Sequence, residues 1–305
     1  MDTAILFLIF NRPESTQKVF EVIRAAKPKR LYIAADGPRK SKLNEVDKCN
    51  ASREIVNSID WECKVKTLFR ESNLGCKKAV SSAINWFFEN EEEGIILEDD
   101  ILPHPDFFRY CEELLDRYRN NSSIGVISGH NHVYNQKAFN GNSYDFVAIS
   151  HCWGWATWKH SWNLVDVSLK SYNLCDLSRS LNNIYSQNSR IRFWEAIFLL
   201  MKQNLINSWA YPMTLSLMIN EKLSVIPALN LTKNIGDGED ATHTSKLNEE
   251  ESRISLQGIY PLTHPKVIKL NETLENIEVK NEQRHISFYR YLKIRLSILY
   301  HKICD

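Results

Sequence analysis

Three adjacent carboxylates, Glu98, Asp99 and Asp100, are the residues of this chain whose types and spacing best fit a chemical role. They follow the apolar run 94–97, which is typical of a buried strand. Acids directly after a strand need a cation, protein dipoles or both, because an unpaired buried charge is costly. A hard divalent ion with phosphate oxygens as further ligands fits best. The alternative is an acidic turn that caps the helix beginning near Pro105.

Composition limits the classes of protein to which this chain can belong. It has 305 residues, of which 43% are hydrophobic and 25% are charged, which is enough to bury a core. The formal net charge of +1 gives no basic footprint for nucleic acid, so any phosphate recognition must be local. The first residues lack the features of a signal peptide, and the seven cysteines are widely spaced. A cytoplasmic location is therefore expected.

Apolar runs alternate with helical patterns through the first half of the chain. The predicted strands are 4–10, 31–35, 65–69 and 94–97, and the predicted helices between and after them are 14–26, 46–58, 77–89 and 106–119. Further strands are expected at 124–128, 146–149 and 223–226, with a helix at 190–203. This order predicts an α/β fold with a mostly parallel central sheet flanked by helices.

The C-terminal segment from about 284 to 302 has a different pattern. Apolar residues recur there at helical spacing, with arginines and lysines between them. This pattern predicts a basic amphipathic helix. It would either lie on an anionic membrane surface or pack on the domain or on a partner subunit.

Several segments at predicted strand ends fall into a recognisable order: 10–13, 35–39, 73–76, 97–100, 128–131, 153–158 and 234–244. Over about residues 4 to 245 the chain resembles bacterial nucleotide-sugar-dependent glycosyltransferases of the type A fold, which are distantly similar to the N-acetylglucosaminyltransferase I family. The resemblance implies a catalytic domain over 1–245, with a nucleotide-binding half (1–130) and an acceptor half (131–245). Residues 246–305 would form a C-terminal extension.

The resemblance also implies the substrates and the cofactor. The donor would be a nucleoside diphosphate sugar, with a UDP-sugar favoured, and the acceptor a glycan or a lipid-linked molecule at the inner face of a membrane. Mn²⁺ or Mg²⁺ would bridge the two phosphates of the donor. In the family the last acid of the triplet holds the metal, which corresponds to Asp100, while Glu98 and Asp99 lie near the ribose.

Other strand-end residues match nucleotide-binding positions of the family. These residues are Asn11, Arg12 and Asp36. Asn73 and Gly75 open a helix whose N-terminus could face the nucleotide, with Lys77 as a further phosphate partner. The alternative roles are a helix cap for Asn11, an Asp-Gly turn for Asp36 and a solvated helix face for Lys77. The segment 234–244 resembles the loop that closes over the nucleotide, and within it His243 can contact phosphate or metal.

A block of tryptophans is the next concentration of candidate residues. The expected wall beside the donor sugar and the acceptor consists of Trp153, Gly154, Trp155, Trp158 and Trp209, because aromatic rings stack on sugar faces. His130 and His132 could add polar contacts there. The alternative is an ordinary buried aromatic core.

The identity of the general base is the point at which this chain departs from its relatives. They often carry a Trp-Asp pair where this chain has Trp209 and Ala210, and alanine cannot accept a proton. The best substitute is Glu195, and Glu239 and Asp240 are weaker candidates. The expected outcome is inversion at the anomeric carbon.

Two other functions remain open. Ala210 is compatible with a catalytically silent sugar- or nucleotide-binding assembly protein. A sugar nucleotidyltransferase ranks lower, because it would need a glycine-rich basic loop after the first strand, and the segment 10–13 does not provide one.

Overall fold

The computed structural model describes residues 1–236, 255–281 and 286–304. The strands are β1 (Ala4–Ile9), β2 (Arg30–Ala35), β3 (Lys64–Phe69), β4 (Glu93–Glu98), β5 (Ile101–Pro103), β6 (Ile124–Ser128), β7 (Tyr144–Val147), β8 (Trp155–Trp158), β9 (Leu223–Pro227) and β10 (Thr232–Asn234). The α-helices are α1 (Pro13–Ala26), α2 (Glu45–Arg53), α3 (Cys76–Phe88), α4 (Asp106–Tyr118), α5 (Lys159–Trp162), α6 (Leu174–Ile184), α7 (Asn188–Lys202), α8 (Ala210–Ile219), α9 (Glu272–Asn281) and α10 (Phe288–Cys304).

Within the described residues, eight strands form one central sheet in the order β3-β2-β1-β4-β8-β6-β9-β7. The first four strands in this order are parallel to one another, and β6 is parallel to β9. Strand β8 is antiparallel to both of its neighbours, and β7 is antiparallel at the edge. The predicted α/β fold with a central sheet flanked by helices is therefore confirmed, and the sheet is mixed, with four parallel and three antiparallel strand pairs.

The central strands of the sheet are buried on both faces, which explains their continuous apolar runs. On β1, Ile5 and Phe7 belong to a core that includes residues of α1 and α4. The alternate residues Leu6 and Leu8 belong to a second core with residues of α3 and α8. Because successive side chains of a strand point to opposite faces, one strand supports two helical layers.

The structure differs from the predicted elements in several places, and helices α6 and α8, for example, were not predicted. The expected helix 46–58 is a shorter α-helix, α2, followed by a 3₁₀ turn, Glu54–Ser58. The tryptophan block contains strand β8, which lies between β4 and β6. No strand was predicted there, because a four-residue strand is defined by its neighbours in space rather than by a sequence period.

The described part of the predicted extension 246–305 packs against the rest of the protein. Ile259 belongs to the core beneath α4, and Leu274 to a core with β7. The carboxylate of Glu275 is buried and accepts hydrogen bonds from the amide of Ala148 (2.7 Å) and the hydroxyl of Tyr185 (2.5 Å). The domain boundary at residue 245 stays a prediction. No helix in the described ranges is long and apolar enough to cross a bilayer.

Candidate active site

The acidic triplet Glu98, Asp99 and Asp100 lies at the C-terminal end of β4, in the middle of the sheet. Asp99 accepts a hydrogen bond from the amide of Phe10 (2.8 Å), which ties the end of β1 to the end of β4. The guanidinium of Arg12 lies 2.9 Å from Asp100 and 3.3 Å from Asp99. The structure therefore brings together two strand ends that the sequence analysis treated as parts of one site.

The triplet carries more negative charge than Arg12 can offset. Burial and the neighbouring carboxylates raise the pKa of Glu98 to about 8, and burial and Asp100 raise the pKa of Asp99 to about 7. Burial also raises the pKa of Asp100, against the opposing effect of Arg12. A bound cation would relieve this repulsion.

The donor set fits a metal that takes most of its ligands from a substrate. Among the described residues, no three His, Cys, Asp or Glu side chains are arranged to hold a metal ion. A cation at the triplet would therefore be bound by one or two carboxylates and completed by phosphate oxygens and water. This is the usual arrangement for Mg²⁺ at nucleotide sites.

The segment that includes β10 and the two residues after it contacts Asp100. Strand β10 pairs with β5 directly after the triplet, and the amide of Ile235 donates to the carbonyl of Asp100 (2.7 Å). At Gly236 a Cβ atom would lie only 2.6 Å from the Asp100 carboxylate, so a larger residue would displace that side chain. The predicted closing loop 234–244 therefore starts at Asp100. Its residues His243, Glu239 and Asp240 lie outside the described residues.

A first cavity of about 280 Å³ lies between the ends of β1 and β2 and helix α3. Its charged lining residues are Arg12, Asp36, Arg39, Arg70, Glu98 and Asp99. The sequence analysis did not assign Arg39 and Arg70. Both follow parallel strands, and Arg70 comes directly after β3, so the strand-end rule that selected Arg12 could have selected them.

Asp36 and Asn73 organise one wall of the first cavity by bonding to each other. The carboxylate of Asp36 accepts from the side chain of Asn73 (3.0 Å) and from the amides of Leu74 (3.0 Å) and Gly75 (3.1 Å). Gly75 precedes α3 with a φ of 78°, a left-handed conformation that favours glycine. Asp36 and Asn73 both line the first cavity, but most of their polar atoms already make hydrogen bonds within the protein.

Asn11 supports the first cavity from behind. It is buried and donates to the carboxylate of Glu45 (2.9 Å), which also pairs with Arg39 (2.5 Å). Asn11 therefore helps to hold Arg39 through Glu45. Lys77 lies in the first turn of α3, and the described residues that line the first cavity do not include Lys77 or Asn11.

Two further cavities continue the cleft across the sheet edge. A central cavity of about 380 Å³ includes Asp100, Arg12 and Glu98 in its lining. A histidine cavity of about 200 Å³ is lined in part by His130, His132 and His151. The central and histidine cavities share Cys152, Trp153, Ser208, Ala210 and Tyr211. The sequence analysis missed His151, Ser208 and Tyr211 in this group.

The structure separates the tryptophans of the predicted wall into two groups. Trp153 is half-buried and lines both the central and the histidine cavity, and Trp209 lines the central cavity. Trp155 and Trp158 are fully buried in the cores on opposite faces of β8. Gly154 has a φ of 70°, and a Cβ atom there would lie 2.6 Å from the methyl group of Thr232. Gly154 thus permits close packing between β8 and β10.

Glu195 lies on α7 and connects three helices. Its carboxylate accepts from the hydroxyl of Ser178 on α6 (2.5 Å) and from that of Tyr291 on α10 (2.5 Å). The described residues that line the three cavities do not include Glu195. The structure therefore places the predicted base in a helix-to-helix contact.

The fold and the cleft define this chain as an α/β protein with a polar cleft along the carboxyl ends of its parallel strands, where open sheets bind ligands. No family model matches the chain, and no curated protein matches it. Staphylococcus aureus TarS 1–349 is similar with a TM-score of 0.41 and 10% identity, and the match covers 75% of this chain but only 58% of the TarS chain.

Two other solved structures show similarity at a comparable level. Yersinia pseudotuberculosis HddC has a TM-score of 0.31 and 10% identity, covering 56% of this chain and 80% of HddC. A UDP-glucose pyrophosphorylase complexed with UDP-glucose has a TM-score of 0.34 and 10% identity, covering 74% and 90%. Similarities this low identify neither family nor activity. The resemblance to the N-acetylglucosaminyltransferase I family stays a prediction.

Proposed function

We propose that this protein is a glycosyltransferase that moves a sugar from a nucleoside diphosphate sugar, preferentially a UDP-sugar, to a hydroxyl group of a glycan or lipid-linked acceptor. The observation that carries this proposal is the position of the acidic triplet. Its three carboxylates lie where the first and central cavities meet, and Arg12 lines both cavities. The cleft thus has room for a nucleotide on one side of the triplet and for a second substrate on the other.

The charges around the first cavity support binding of a diphosphate. The guanidinium groups of Arg12, Arg39 and Arg70 line it and can pair with phosphate oxygens. The acidic triplet would repel the diphosphate, and a cation between them would offset this repulsion. Asp100 is the residue proposed to hold Mn²⁺ or Mg²⁺. The bound ion would supply positive charge that stabilises the departing diphosphate.

A catalytically silent nucleotide-sugar binder is the second candidate. One observation favours it: Ala210 lines the cleft where relatives were expected to have a carboxylate, whereas Glu195 contacts α6 and α10 instead. Binding and turnover therefore have to be measured separately. The turnover measurement also tests the nucleotidyltransferase alternative, because such an enzyme would form a nucleoside triphosphate from the nucleotide sugar when pyrophosphate is added.

The first test is thermal unfolding with UDP, GDP and a panel of their sugar conjugates, with and without Mn²⁺. We expect one nucleoside diphosphate to raise the unfolding temperature in the presence of Mn²⁺ and to have little effect after chelation with EDTA. A ligand at about 100 times its Kd stabilises a protein by about 2.7 kcal/mol. For a domain of this size that is a shift of several degrees.

Two results of this test would contradict the proposal. If no nucleotide in the panel changes the unfolding temperature, the cleft is not a nucleotide site. If the shift is the same after chelation, the diphosphate binds without a metal and Asp100 has another role. Binding without release of the nucleoside diphosphate from any donor would favour the silent binder.

A further inference from the structure

Beside the histidine cavity lies a buried contact between an imidazole and a carboxylate that the proposed donor site does not use. His151 Nε2 lies 3.0 Å from Glu278 Oε2, in contact although not aligned as a hydrogen bond. Glu278 is fully buried on α9, and its other oxygen accepts from the amide of His132 (3.0 Å). A carboxylate beside one ring nitrogen of an imidazole fixes which nitrogen faces away from it.

This contact faces the second half of the cleft. The ring of His151 lies 4.9 Å from that of His132 and 6.1 Å from that of His130, measured between centroids. All three histidines line the cavity, together with Trp153, which the central cavity shares. The histidine cavity therefore adjoins the central cavity, which Asp100 lines, at these shared residues.

The remaining lining residues have the chemistry of a carbohydrate site. Trp153 and Tyr211 offer aromatic faces for a sugar ring, and Ser150, Ser208 and Thr214 are hydroxyl residues of the same lining. We infer that the histidine cavity binds a saccharide acceptor and that His151 takes the proton from the attacking hydroxyl. This inference rests on the proposed glycosyl transfer.

The step balances without a further reactant. The acceptor O–H bond breaks, and its proton goes to Nδ1 of His151, while Nε2 remains beside Glu278. The acceptor oxygen forms the new bond to the anomeric carbon. The bond from that carbon to the phosphate oxygen breaks, and its electron pair leaves with the nucleoside diphosphate. Glu278 acts as a positioning residue, because its contact with Nε2 orients the ring and leaves Nδ1 to accept the proton.

The test measures UDP release from UDP-glucose, UDP-galactose and UDP-N-acetylglucosamine with Mn²⁺, first with water and then with octyl glycosides as acceptors. His151→Gln is expected to lower kcat by at least about a hundredfold, the usual range for loss of a general base. Its Kd for UDP should stay within twofold of the wild type. In His151→Ala, added imidazole is expected to restore part of the release.

The matched control is His160→Gln, because His160 is an exposed histidine that lines a cavity at the opposite edge of the sheet. It should retain wild-type rates. If His151→Gln releases UDP as fast as the wild type, the inference is wrong while the proposed function stands. If His151→Gln also loses UDP binding, or imidazole restores nothing, His151 is structural. If the wild type neither binds nor hydrolyses any donor, the proposed function fails and the inference fails with it.

A second inference comes from α10 and is independent of the cleft. Tyr291 and Ile298 pack against the protein, whereas Phe288, Tyr289, Leu292 and Leu296 are 60%, 78%, 41% and 57% exposed. Phe288, Leu292 and Leu296 are spaced four residues apart, so they form one stripe on the outer face of the helix. We name these three residues the outer stripe.

Cations accompany the outer stripe. Arg290, Lys293 and Arg295 are exposed on the same helix, and the sequence 286–304 contains no Asp or Glu. A second copy of this helix would bring like charges together, whereas an anionic bilayer offers both opposite charge and an apolar interior. We infer that α10 lies in the headgroup region of an anionic membrane with its outer stripe toward the lipid.

Co-sedimentation with vesicles tests this second inference. We expect the wild type to pellet with vesicles of phosphatidylcholine and phosphatidylglycerol, and much less with phosphatidylcholine alone. The double variant Leu292→Ser/Leu296→Ser should bind the anionic vesicles roughly tenfold more weakly. Val267→Ser, at another exposed apolar residue, is the control and should bind as the wild type does.

Two results would overturn the membrane inference. One is equal pelleting of the wild type and the double variant with anionic vesicles. The other is absence of pelleting combined with a wild-type dimer that the double variant abolishes, because a second copy would then cover the stripe.

Discussion

Asp100→Asn is expected to lower the rate of UDP release by about a thousandfold, or about 4 kcal/mol of transition-state stabilisation. The substitution keeps the shape of the side chain but removes the charge that would hold the cation. In the present structure Asp100 pairs with Arg12 at 2.9 Å and is packed beneath Gly236. The measurement is steady-state UDP release over a range of Mn²⁺ concentrations, which separates weaker metal binding from a slower chemical step.

The matched control for this prediction is Asp116→Asn. Asp116 also pairs with an arginine, Arg119, at 2.8 Å, but on the exposed end of α4. A surface pair of this kind contributes little to stability, so the variant should behave as the wild type. If Asp100→Asn turns over at the wild-type rate without a higher Mn²⁺ requirement, the metal does not bind at this carboxylate.

Trp155→Ala is expected to lower the free energy of unfolding by about 3–5 kcal/mol, the usual cost of removing a large buried aromatic side chain. Trp155 is fully buried in the core beneath α3 and α8 and stacks on Trp209, with 5.9 Å between ring centroids. Trp153→Ala is expected to cost only about 1 kcal/mol, because that ring is half-buried and faces the cleft. Urea unfolding followed by far-UV circular dichroism measures both changes.

Trp155→Phe provides an internal control for the same position. The indole nitrogen of Trp155 is buried and has no hydrogen-bond partner among the described residues, so its loss removes no bond. Phenylalanine should therefore retain a large part of the lost stability, in proportion to the volume it fills. Equal destabilisation by Trp153→Ala and Trp155→Ala would contradict the assignment of one tryptophan to the cleft and the other to the core.

The sequence was sufficient to predict the fold and the centre of the candidate site. Strands β1 and β4 contain continuous apolar runs because helices cover both of their faces, and the helical patterns between such strands require crossover connections. Parallel strands place their carboxyl ends at one edge, so Arg12, Asp36 and the acidic triplet could be assigned to that edge. Arg39 and Arg70 follow from the same rule, although they were not assigned.

Tertiary structure decided which aromatic and acidic side chains face the cleft and which are packed inside the protein. In the block 153–158 the sequence offers several tryptophans at short spacing, and only the pairing of β8 with β4 and β6 assigns Trp155 to a core and leaves Trp153 beside the cleft. Glu195 has the residue type of a base, but its helix turns it toward Ser178 and Tyr291. Local patterns do not contain this information.

The contact between His151 and Glu278 is the clearest example of an arrangement that local sequence patterns do not predict. The two residues are far apart in the chain. Glu278 lies outside the region that carries the resemblance, and no sequence motif distinguishes it from other polar residues. It becomes a buried partner of His151 only because α9 packs against the loops that follow β6 and β7. The sequence determined which residues lie at strand ends, because backbone geometry fixes that locally. Which distant side chains meet in the cleft was decided by the packing of helices on the sheet.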